Sequence, residues 1–326
     1  MAESLLELLT ESGDFVSGQE VADRLGISRN AVWKAVQKAR DEGIEIEAFP
    51  RKGYRIKSTT EAFGVKSIAS MIKTKTIGQE LMFYKEIDST NEECRRRARN
   101  GNDTDSVLVV ADTQTAGRGR RGRSWQSQKG TSISMSFLLH PHISPNAAPM
   151  LTIVMAMAVS KGIEEIADIP VGIKWPNDIV INGKKVVGIL TEMDTEPDYV
   201  HNVIIGTGIN VSETSFPEEL KDKATSIYNE TGKMVSRAGI VANIANRFEE
   251  YYEAFLKNTD LSGIAEDYNK KCVNVGRRVK VLDPKGDFEA DAKGIDERGE
   301  LIVDVNGEEK KIYAGEVSVR GIYGYV

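Results

Sequence analysis

The sequence predicts a multidomain α+β protein with an N-terminal winged helix-turn-helix, a central α/β domain built on a mixed sheet, and a small C-terminal β-barrel. Three observations predict it. Helices and a basic hairpin fill the N-terminal part, long apolar helices alternate with apolar strands in the middle, and short strands between turns fill the C-terminal part. We place the domains at residues 1–62, 63–271 and 272–326 of the 326-residue chain.

The N-terminal domain has the pattern of a winged helix-turn-helix. Ser17 and Ser28 are placed to cap two short helices, and Gly26 ends the first of them. Two strands joined by residues 49–53 then form the wing. Eight basic and four acidic residues lie between Ser28 and Lys57, so this stretch is basic although the whole chain has a net charge of −6.

Three short helices are predicted in this domain. The third of them, which Ser28 caps, and the wing together predict a DNA-binding surface. Lysine and arginine neutralise phosphates, while arginine and asparagine also read base edges in the major groove. The alternative is a small helical domain with a solvated charged face, but the position of the wing favours DNA binding. Trp33 either faces DNA or packs on a neighbouring domain. The candidate DNA-binding residues are Ser28, Arg29, Asn30, Lys34, Arg51 and Lys52.

The rest of the chain reads as one larger α/β section followed by the barrel. Residues 61–81 read as a helical linker, and long helices are predicted at 147–167 and 236–257. Asn182-Gly183 between two apolar runs is a strong hairpin signal, so the central sheet must be at least partly antiparallel.

Composition and cysteine usage exclude several classes of protein. No apolar run reaches the ~18 residues of a membrane span, and acidic Glu3 and Glu7 argue against a signal peptide, so we expect a cytoplasmic protein without a membrane partner. Cys94 and Cys272 are far apart and form no CxxC pair. Neither a disulfide nor a zinc site is therefore expected, and both cysteines should pack as small apolar residues.

Residues 117–123, which we call the arginine loop, alternate glycine with arginine and contain a G-x-G-x-x-G pattern. A dinucleotide-binding fingerprint needs a helix after this pattern, but another strand follows, so that interpretation fails. Glycine lets backbone N–H groups approach an anion, and arginine binds phosphate or carboxylate with two hydrogen bonds. We expect the loop to be mobile when empty and ordered around an anion. The alternative is an exposed loop that contacts nucleic acid.

A second segment with potential chemistry is Lys174-Trp175-Pro176-Asn177-Asp178, which ends an apolar strand. A lysine there can hold a phosphate, and the aspartate can bind a Mg²⁺ ion that bridges phosphate oxygens. The segment is also ordinary turn chemistry. Lys185 and Gly188 lie in the next strand, where glycine often marks close approach of a ligand. Ser89 and Asn210 follow other strands, and either could serve only as a cap.

In their order along the chain, these segments resemble the bacterial biotin–protein ligases that also repress the biotin operon. The matching segments are 88–91, 114–123 with Trp125, 174–178, Lys185 with 188–190, 208–210 and Arg320. The winged helix and the barrel correspond to the two flanking domains of that family, so the resemblance covers essentially the whole chain. It implies a central catalytic domain like those of class II synthetases and an SH3-like barrel.

The resemblance implies that ATP activates biotin as biotinyl-5′-AMP and that the biotinyl group passes to a lysine of a biotin carboxyl carrier protein, in acetyl-CoA or pyruvate carboxylase. It also implies a homodimer that binds operator DNA when adenylate is bound. The residues implied to bind biotin are Ser89, Thr90, Asn91, Gln114, Gly117, Arg118, Lys185, Gly188 and Leu190. Those implied to bind ATP or the adenylate are Arg120, Arg121, Arg123, Trp125, Lys174, Asn177, Asn210 and Arg320. Lys185, Arg118 and Arg120 would be catalytic, and Asp178 would hold Mg²⁺.

Three other functions remain open on the residues alone. A ligand-responsive transcription factor could bind an anionic nucleotide without any chemistry, but it does not need Lys185, Asp178 and the arginine loop together. A lipoate-type ligase that forms an acyl adenylate would differ in the pocket between Ser89 and Gln114. An RNA-binding protein would bind RNA with strong salt dependence.

Overall fold

The computed structural model describes residues 5–6, 8–9, 12, 15–41, 46–50, 52–56, 63–101, 106–284, 286–314, 318–321 and 325. The chain divides into two compact units, Met1–Phe63 and Gly64–Val326. No helix within the described ranges is both long and apolar enough to cross a membrane.

The first unit is a winged helix-turn-helix, as predicted. Its described elements are α1 Gly18–Leu25, α2 Arg29–Asp41, β1 Ile46–Phe49 and β2 Gly53–Ile56, and the two strands pair antiparallel. The Ser17 hydroxyl caps α1 by accepting from the Glu20 N–H. Gly26 ends α1 in the left-handed conformation, with φ 64°, which favours glycine. Val21, Val32 and neighbouring leucines form the buried core of this unit.

A seven-stranded mixed sheet is the centre of the second unit. Its strand order is β3-β4-β5-β9-β8-β7-β6, in which only β3 and β4 are parallel to each other. The strands are β3 Glu80–Ile87, β4 Ser106–Gln114, β5 Ser132–Leu139, β6 Gly172–Lys174, β7 Asp178–Ile181, β8 Lys184–Glu196 and β9 Tyr199–Asn210. The predicted hairpin at Asn182-Gly183 joins β7 to β8, with both residues at positive φ. The prediction of a partly antiparallel sheet is therefore confirmed.

Helices cover the two faces of this sheet. The helices of the unit are α3 Val65–Ala69, α4 Thr90–Asn100, α5 Leu151–Ala167, α6 Ile227–Thr231, α7 Arg237–Asn258 and α8 Ala265–Lys271. On one face α5 packs against α7, and Phe137 of β5 contacts Phe248 of α7. On the other face, Cys94 of α4 is buried against Val109 and Leu138. Both cysteines are free and buried, as predicted. The part of this second face beyond α4 carries the candidate site.

The helical linker predicted over 61–81 is wrong for most of its described length. Among residues 63–81 only α3 is helical, and turns lead from it into β3. The Glu249 carboxylate of α7 accepts hydrogen bonds from the backbone N–H groups of Lys75, Thr76 and Ile77. These contacts satisfy backbone donors that a helix would otherwise have paired, so the tertiary contact replaces the local one.

The C-terminal part forms a five-stranded antiparallel sheet in the order β13-β12-β11-β10-β14. Its strands are β10 Arg278–Leu282, β11 Phe288–Ile295, β12 Leu301–Val305, β13 Glu308–Ile312 and β14 Ser318–Gly321. Trp175 joins this C-terminal sheet to the central one, because its indole Nε1 donates to the carbonyl of Gly299 at 3.0 Å. Its backbone N–H donates to Asn274 Oδ1 at 2.9 Å. The turn after β6 is thus held between the two sheets.

Candidate active site and DNA-binding face

A row of residues with small side chains crosses four strands on the second face of the central sheet. Ser134 of β5 pairs with Gly208 of β9, Gly208 with Gly188 of β8, and Gly188 with Asp178 of β7. Paired residues of neighbouring strands point to the same face of a sheet. This row is therefore a strip of the sheet surface without bulky side chains of its own, and it ends at the Asp178 carboxylate. We call it the glycine row.

Beside the glycine row, α4 and the end of β4 supply a buried polar network. Gln114 Oε1 accepts from the backbone N–H of Thr90 at 2.8 Å and from its hydroxyl at 3.1 Å. The Ser136 hydroxyl lies 2.7 Å from Thr90 Oγ1 and donates to Asn91 Oδ1 at 2.6 Å. Ser89 occupies the N-cap position of α4, but its side chain makes no capping hydrogen bond with any described residue. The structure thus brings Gln114 together with three consecutive candidate residues at the start of α4.

Asn91 is fixed from two further directions. Its amide Nδ2 donates to Glu192 Oε2 at 2.7 Å. A Cβ at Gly206, which pairs with Ser136 across β5 and β9, would lie only 2.1 Å from Asn91 Oδ1. Any side chain at position 206 would therefore displace the amide, so glycine is needed there for close approach rather than for its backbone conformation.

The arginine loop folds back on itself as a tight turn. The N–H of Gly119 donates to the carbonyl of Arg123 at 2.7 Å, and that of Trp125 donates to Gly117 at 2.9 Å. Arg121 adopts the left-handed conformation within this turn, with φ 57°. A Cβ at Gly117 would lie 2.4 Å from the Trp125 carbonyl oxygen. No helix follows the loop before β5, which agrees with the exclusion of a dinucleotide fold.

The indole of Trp125 lies on the glycine row. A Cβ at Gly208 would be 2.3 Å from Trp125 Cε2, and one at Gly188 would be 3.0 Å from Cζ3. The indole Nε1 is buried and finds no hydrogen-bond partner within the described part of the chain. Ser134 Oγ is likewise buried with no partner among described residues. Both atoms are polar groups that a ligand could satisfy.

The arginines of the loop point to different neighbours. Arg118 Nη1 forms an ion pair with Glu92 Oε1 of α4 at 2.7 Å and is largely exposed. Arg120 donates to Asn177 Oδ1 at 2.8 Å and to the carbonyl of Ala314 in the C-terminal sheet at 2.7 Å. Burial lowers the pKa of Arg120, which the nearby Asp178 carboxylate offsets only in part. Arg120 therefore joins the loop, the turn after β6 and the C-terminal sheet.

Cations outnumber carboxylates at the Asp178 end of the glycine row. Lys174 is only 6% exposed, and burial lowers its pKa to about 8, with a further lowering by Lys185, Arg320 and Arg123. We call these four residues the cation cluster. A buried cation is costly unless an anion pairs with it. The cluster thus favours binding of a strongly anionic group.

Asp178 is the carboxylate that faces this cluster. Lys185 Nζ lies 2.5 Å from Asp178 Oδ1, and the hydroxyl of Tyr325 donates to Oδ2. Burial would raise the pKa of Asp178, but Lys185, Tyr325 and Lys174 outweigh it and hold that pKa below its ordinary value. Within the described residues no group of three or more metal-ligating side chains occurs. An ionised carboxylate of this kind could hold Mg²⁺, which binds proteins through one or two carboxylates plus substrate phosphates.

Two other candidates use their polar atoms within the protein. Asn177 Nδ2 donates to the carbonyl of Ile189 at 2.9 Å while its Oδ1 accepts from Arg120, so it holds the turn. Asn210 is buried at the end of β9, and its Nδ2 donates to the carbonyl of Thr225 at 3.1 Å.

The candidate Leu190 of β8 pairs with Gly206 of β9 and so lies one row of paired residues beyond Gly188.

Sequence reasoning missed several residues of this site. Ser134 and Ser136 could have been found from the sequence, because serines alternate with apolar residues there in an otherwise apolar strand. Such alternation indicates that one face of the strand is polar. Glu92 and Glu192 bind candidate side chains but lie in unremarkable charged segments. Tyr325 reaches Asp178 from the end of the chain, and nothing local in the sequence pointed to it.

The predicted DNA-binding residues of α2 lie on its exposed face. Arg29, Asn30 and Lys34 are exposed beside Trp33, while the opposite side of the helix packs into the core. Ser28 uses its hydroxyl to accept from the Ala31 N–H at 3.2 Å, so it caps α2. The candidate Arg51 lies outside the described residues.

Two aromatic rings and a lysine lie together at the wing, one ring from the wing itself and the other from the segment before α1. Phe49 of β1 is 58% exposed and meets Phe15 edge to face, with ring centroids 5.7 Å apart. Lys52 Nζ lies within 5.9 Å of both ring centroids, and it is exposed. The wing thus presents a cation on an apolar base.

Comparison with known families agrees with this arrangement. Residues 83–210 match the biotin/lipoate A/B protein ligase family, residues 2–55 match a helix-turn-helix domain, and residues 275–320 match the biotin protein ligase C-terminal domain. A ligase domain that follows a helix-turn-helix defines the class of protein: a protein ligase coupled to a DNA-binding domain.

Individual relatives narrow this class. The bifunctional ligase/repressor BirA of Bacillus subtilis is 42% identical, with 98% of each chain covered. The biotin–[acetyl-CoA-carboxylase] ligase of Mycobacterium tuberculosis is 33% identical over 70% of this chain and 85% of its own. Among solved structures, the biotin protein ligase of Aquifex aeolicus in complex with biotin and ATP superposes with a TM-score of 0.66 at 35% identity, covering 74% of this chain and 99% of that one. The chain belongs to the family of bifunctional biotin protein ligase/repressors.

Proposed function

We propose that this chain activates biotin with ATP to form biotinyl-5′-AMP and then transfers the biotinyl group to one lysine of a biotin carboxyl carrier protein. The Aquifex relative was solved with biotin and ATP, and the Mycobacterium relative is named for acetyl-CoA carboxylase. The carrier would be a domain of that enzyme or of pyruvate carboxylase. The observation that carries the proposal is the cation cluster, which faces one carboxylate at the end of the glycine row.

The first reaction step joins two anions, and the cation cluster offsets their repulsion. A carboxylate oxygen of biotin attacks the α-phosphorus of ATP, and the bond to the leaving pyrophosphate breaks. Negative charge accumulates on the phosphate oxygens in the transition state, where fixed cations act most strongly in a site shielded from water. Lys185, which lies beside Asp178, would take this role. Arg118 and Arg120 would bring two further charges from the arginine loop.

Asp178 would hold the Mg²⁺ ion, which would help to neutralise the charge of the phosphates. Lys174, Arg123 and Arg320 would then bind the phosphates directly. Arg121 and Asn210 would contact the adenylate from the two ends of the site.

The polar network on α4 and β4 would hold biotin. The ureido ring of biotin needs both donors and acceptors, and the network offers both in Ser89, Thr90, Asn91 and Gln114. The unpaired hydroxyl of Ser134 on the floor of the site would be satisfied by the same ligand. Gly117, Gly188 and Leu190 would line the pocket without filling it.

The arginine loop would close over the mixed anhydride. Arg118 pairs with Glu92, so its guanidinium must leave that carboxylate to reach the ligand. Trp125 would cover the adenylate and keep water from the acyl carbon until the carrier amine arrives. That amine then attacks the acyl carbon, the bond to the phosphate oxygen breaks, and AMP leaves.

We further propose that the adenylate-bound form dimerises and represses transcription. A winged-helix monomer reads few base pairs, so a two-fold dimer is needed to bind an operator. The exposed cations of α2 and Lys52 of the wing would contact the phosphates and base edges. Because DNA and the carrier protein are its partners, we place the protein in the cytoplasm.

The test is ATP–pyrophosphate exchange with biotin or lipoate as the acid. Exchange with biotin and none with lipoate is expected. Exchange with lipoate alone would identify a lipoate-type ligase, and no exchange with either acid would leave a transcription factor that only binds a ligand. Sedimentation with and without biotin plus ATP tests the dimer, and equal association constants would contradict the proposed corepressor role.

A further inference from the structure

We propose that Tyr325, near the end of the chain, occupies the metal–triphosphate subsite of the free enzyme and competes there with MgATP. The inference rests on the proposed function, which gives Lys174 and Asp178 to the phosphates and their metal ion. Tyr325 contacts both of these residues. Its hydroxyl donates to Asp178 Oδ2, and its ring centroid lies 3.5 Å from Lys174 Nζ.

The two contacts block complementary halves of one subsite. The hydroxyl occupies the carboxylate oxygen that does not face Lys185, so both oxygens of Asp178 are engaged by the protein itself. The ring covers the ammonium of Lys174 with the negative face of its π-system, at a distance typical of a cation–π contact. A phosphate cannot reach that ammonium, nor a metal ion that carboxylate oxygen, while the ring is in place.

The ring contact also offsets part of the cost of burying the Lys174 charge. Lys174 is nearly buried among Lys185, Arg123 and Arg320, and burial lowers its pKa. Burial and the Asp178 carboxylate raise the pKa of Tyr325, so its hydroxyl stays protonated and remains a donor. Tyr325 therefore places the negative face of its ring against this buried cation.

Tyr325 and MgATP compete because the state in which Tyr325 covers Lys174 and Asp178 and the state in which MgATP is bound exclude each other. When a binding-competent state is only partly populated, the observed dissociation constant rises by the inverse of that fraction. Weakening the Tyr325 contact must then tighten MgATP binding. The biotin pocket around Thr90 and Gln114 lies elsewhere on the face and shares none of these contacts. Its affinity for biotin should not change.

The experiment is calorimetric titration of the full chain with the Mg²⁺ complex of α,β-methylene-ATP, which cannot be cleaved between the α and β phosphates. Tyr325→Phe keeps the ring and removes only the hydroxyl, and a chain lacking residues 325–326 removes both contacts. We expect the dissociation constant to fall about 3- to 10-fold for Tyr325→Phe and further for the shortened chain. Biotin titrated alone should bind all chains equally. Tyr313→Phe, at an exposed tyrosine just after β13, is the matched control.

Two results would overturn the proposal. Equal dissociation constants in wild type and both variants would mean that Tyr325 does not compete. Weaker binding in Tyr325→Phe would mean that the tyrosine positions Asp178 and Lys174 for the nucleotide. If wild type, both variants and the control all fail to bind the analogue while biotin still binds, the placement of the nucleotide is wrong and the proposed function falls with it.

Discussion

The exposed face of α2 and the cation cluster of the central sheet are both rich in positive charge, but they hold it differently. Arg29 and Lys34 project into solvent, where a charge costs little and salt screens it. Lys174 is almost completely buried, and burial lowers its pKa to about 8. The exposed charges suit a surface that binds and releases a polyanion, whereas a buried cation such as Lys174 suits a site that must stabilise one small anion strongly.

The largest effect should follow loss of a cation beside Asp178 at the end of the glycine row. Lys185→Ala should reduce biotin-dependent ATP–pyrophosphate exchange by about 10³-fold, because a fixed charge at the reacting phosphate acts in a shielded site. Lys184→Ala, the adjacent lysine of β8, is the matched control and should keep nearly full activity. Similar losses in both variants would show that the strand rather than the Lys185 charge matters. DNA binding by either variant should be unchanged without ligand.

Loss of an exposed cation of α2 should have a smaller effect, and the effect should be on DNA binding rather than on ATP–pyrophosphate exchange. Lys34→Ala should weaken operator binding about tenfold and lower the slope of log affinity against log salt by about one, as expected for one lost phosphate contact. Fluorescence anisotropy at several salt concentrations measures both. Lys75→Ala in the second unit, 83% exposed, should change neither. An unchanged salt slope in Lys34→Ala would remove that residue from the DNA interface.

The buried lysine also predicts a pH dependence of ATP binding. The pKa of Lys174 is about 8 in the free protein, so the ammonium is charged below that pH and neutral above it. ATP affinity should therefore fall several-fold as the pH rises from 8 to 9.5, by less than about tenfold per pH unit. Lys174→Arg should bind ATP with a flat profile over this range. A wild-type profile just as flat would contradict the lowered pKa.

The smallest effect concerns a buried charge outside the cation cluster. Glu213 is 3% exposed, its Oε2 has no partner among the described residues, and burial raises its pKa to about 7. The folded state then binds more protons than the unfolded state between pH 4.5 and 7, so stability falls as the pH rises through this window. Glu213→Gln should be more stable than wild type at pH 8 by about 1–3 kcal/mol in denaturant unfolding. The exposed Glu218→Gln should be neutral, and equal stabilities at pH 8 would show that the carboxylate is well solvated.

Local chemistry was enough to predict much of the fold. The capping serines, Gly26 and the Asn182-Gly183 turn each act within a few residues, so their patterns are readable along the chain. The turn region after α3 was missed because Glu249, far away in sequence, satisfies its backbone N–H groups. Where a distant side chain replaces local hydrogen bonds, periodicity alone misleads.

The candidate site divides in the same way. The arginine loop and the Lys174–Asp178 segment are contiguous, so composition revealed them. The glycine row could not be predicted, because Ser134, Gly208 and Gly188 meet only through the register of three strands. The contact of Tyr325 with Asp178 depends on how the C-terminal sheet sits on the turn after β6, which no segment of the sequence specifies.

The position of Trp125 has a consequence for measurement. The chain has three tryptophans: Trp33 is exposed on α2, Trp175 is buried between two sheets, and Trp125 rests on the glycine row with a buried, unpaired indole nitrogen among the described residues. A ligand that enters the row must change the surroundings of this third indole. The intrinsic fluorescence of Trp125 should therefore report ligand binding without a label. Replacing Trp33 by phenylalanine would remove one of the other two tryptophan signals and help to isolate that of Trp125.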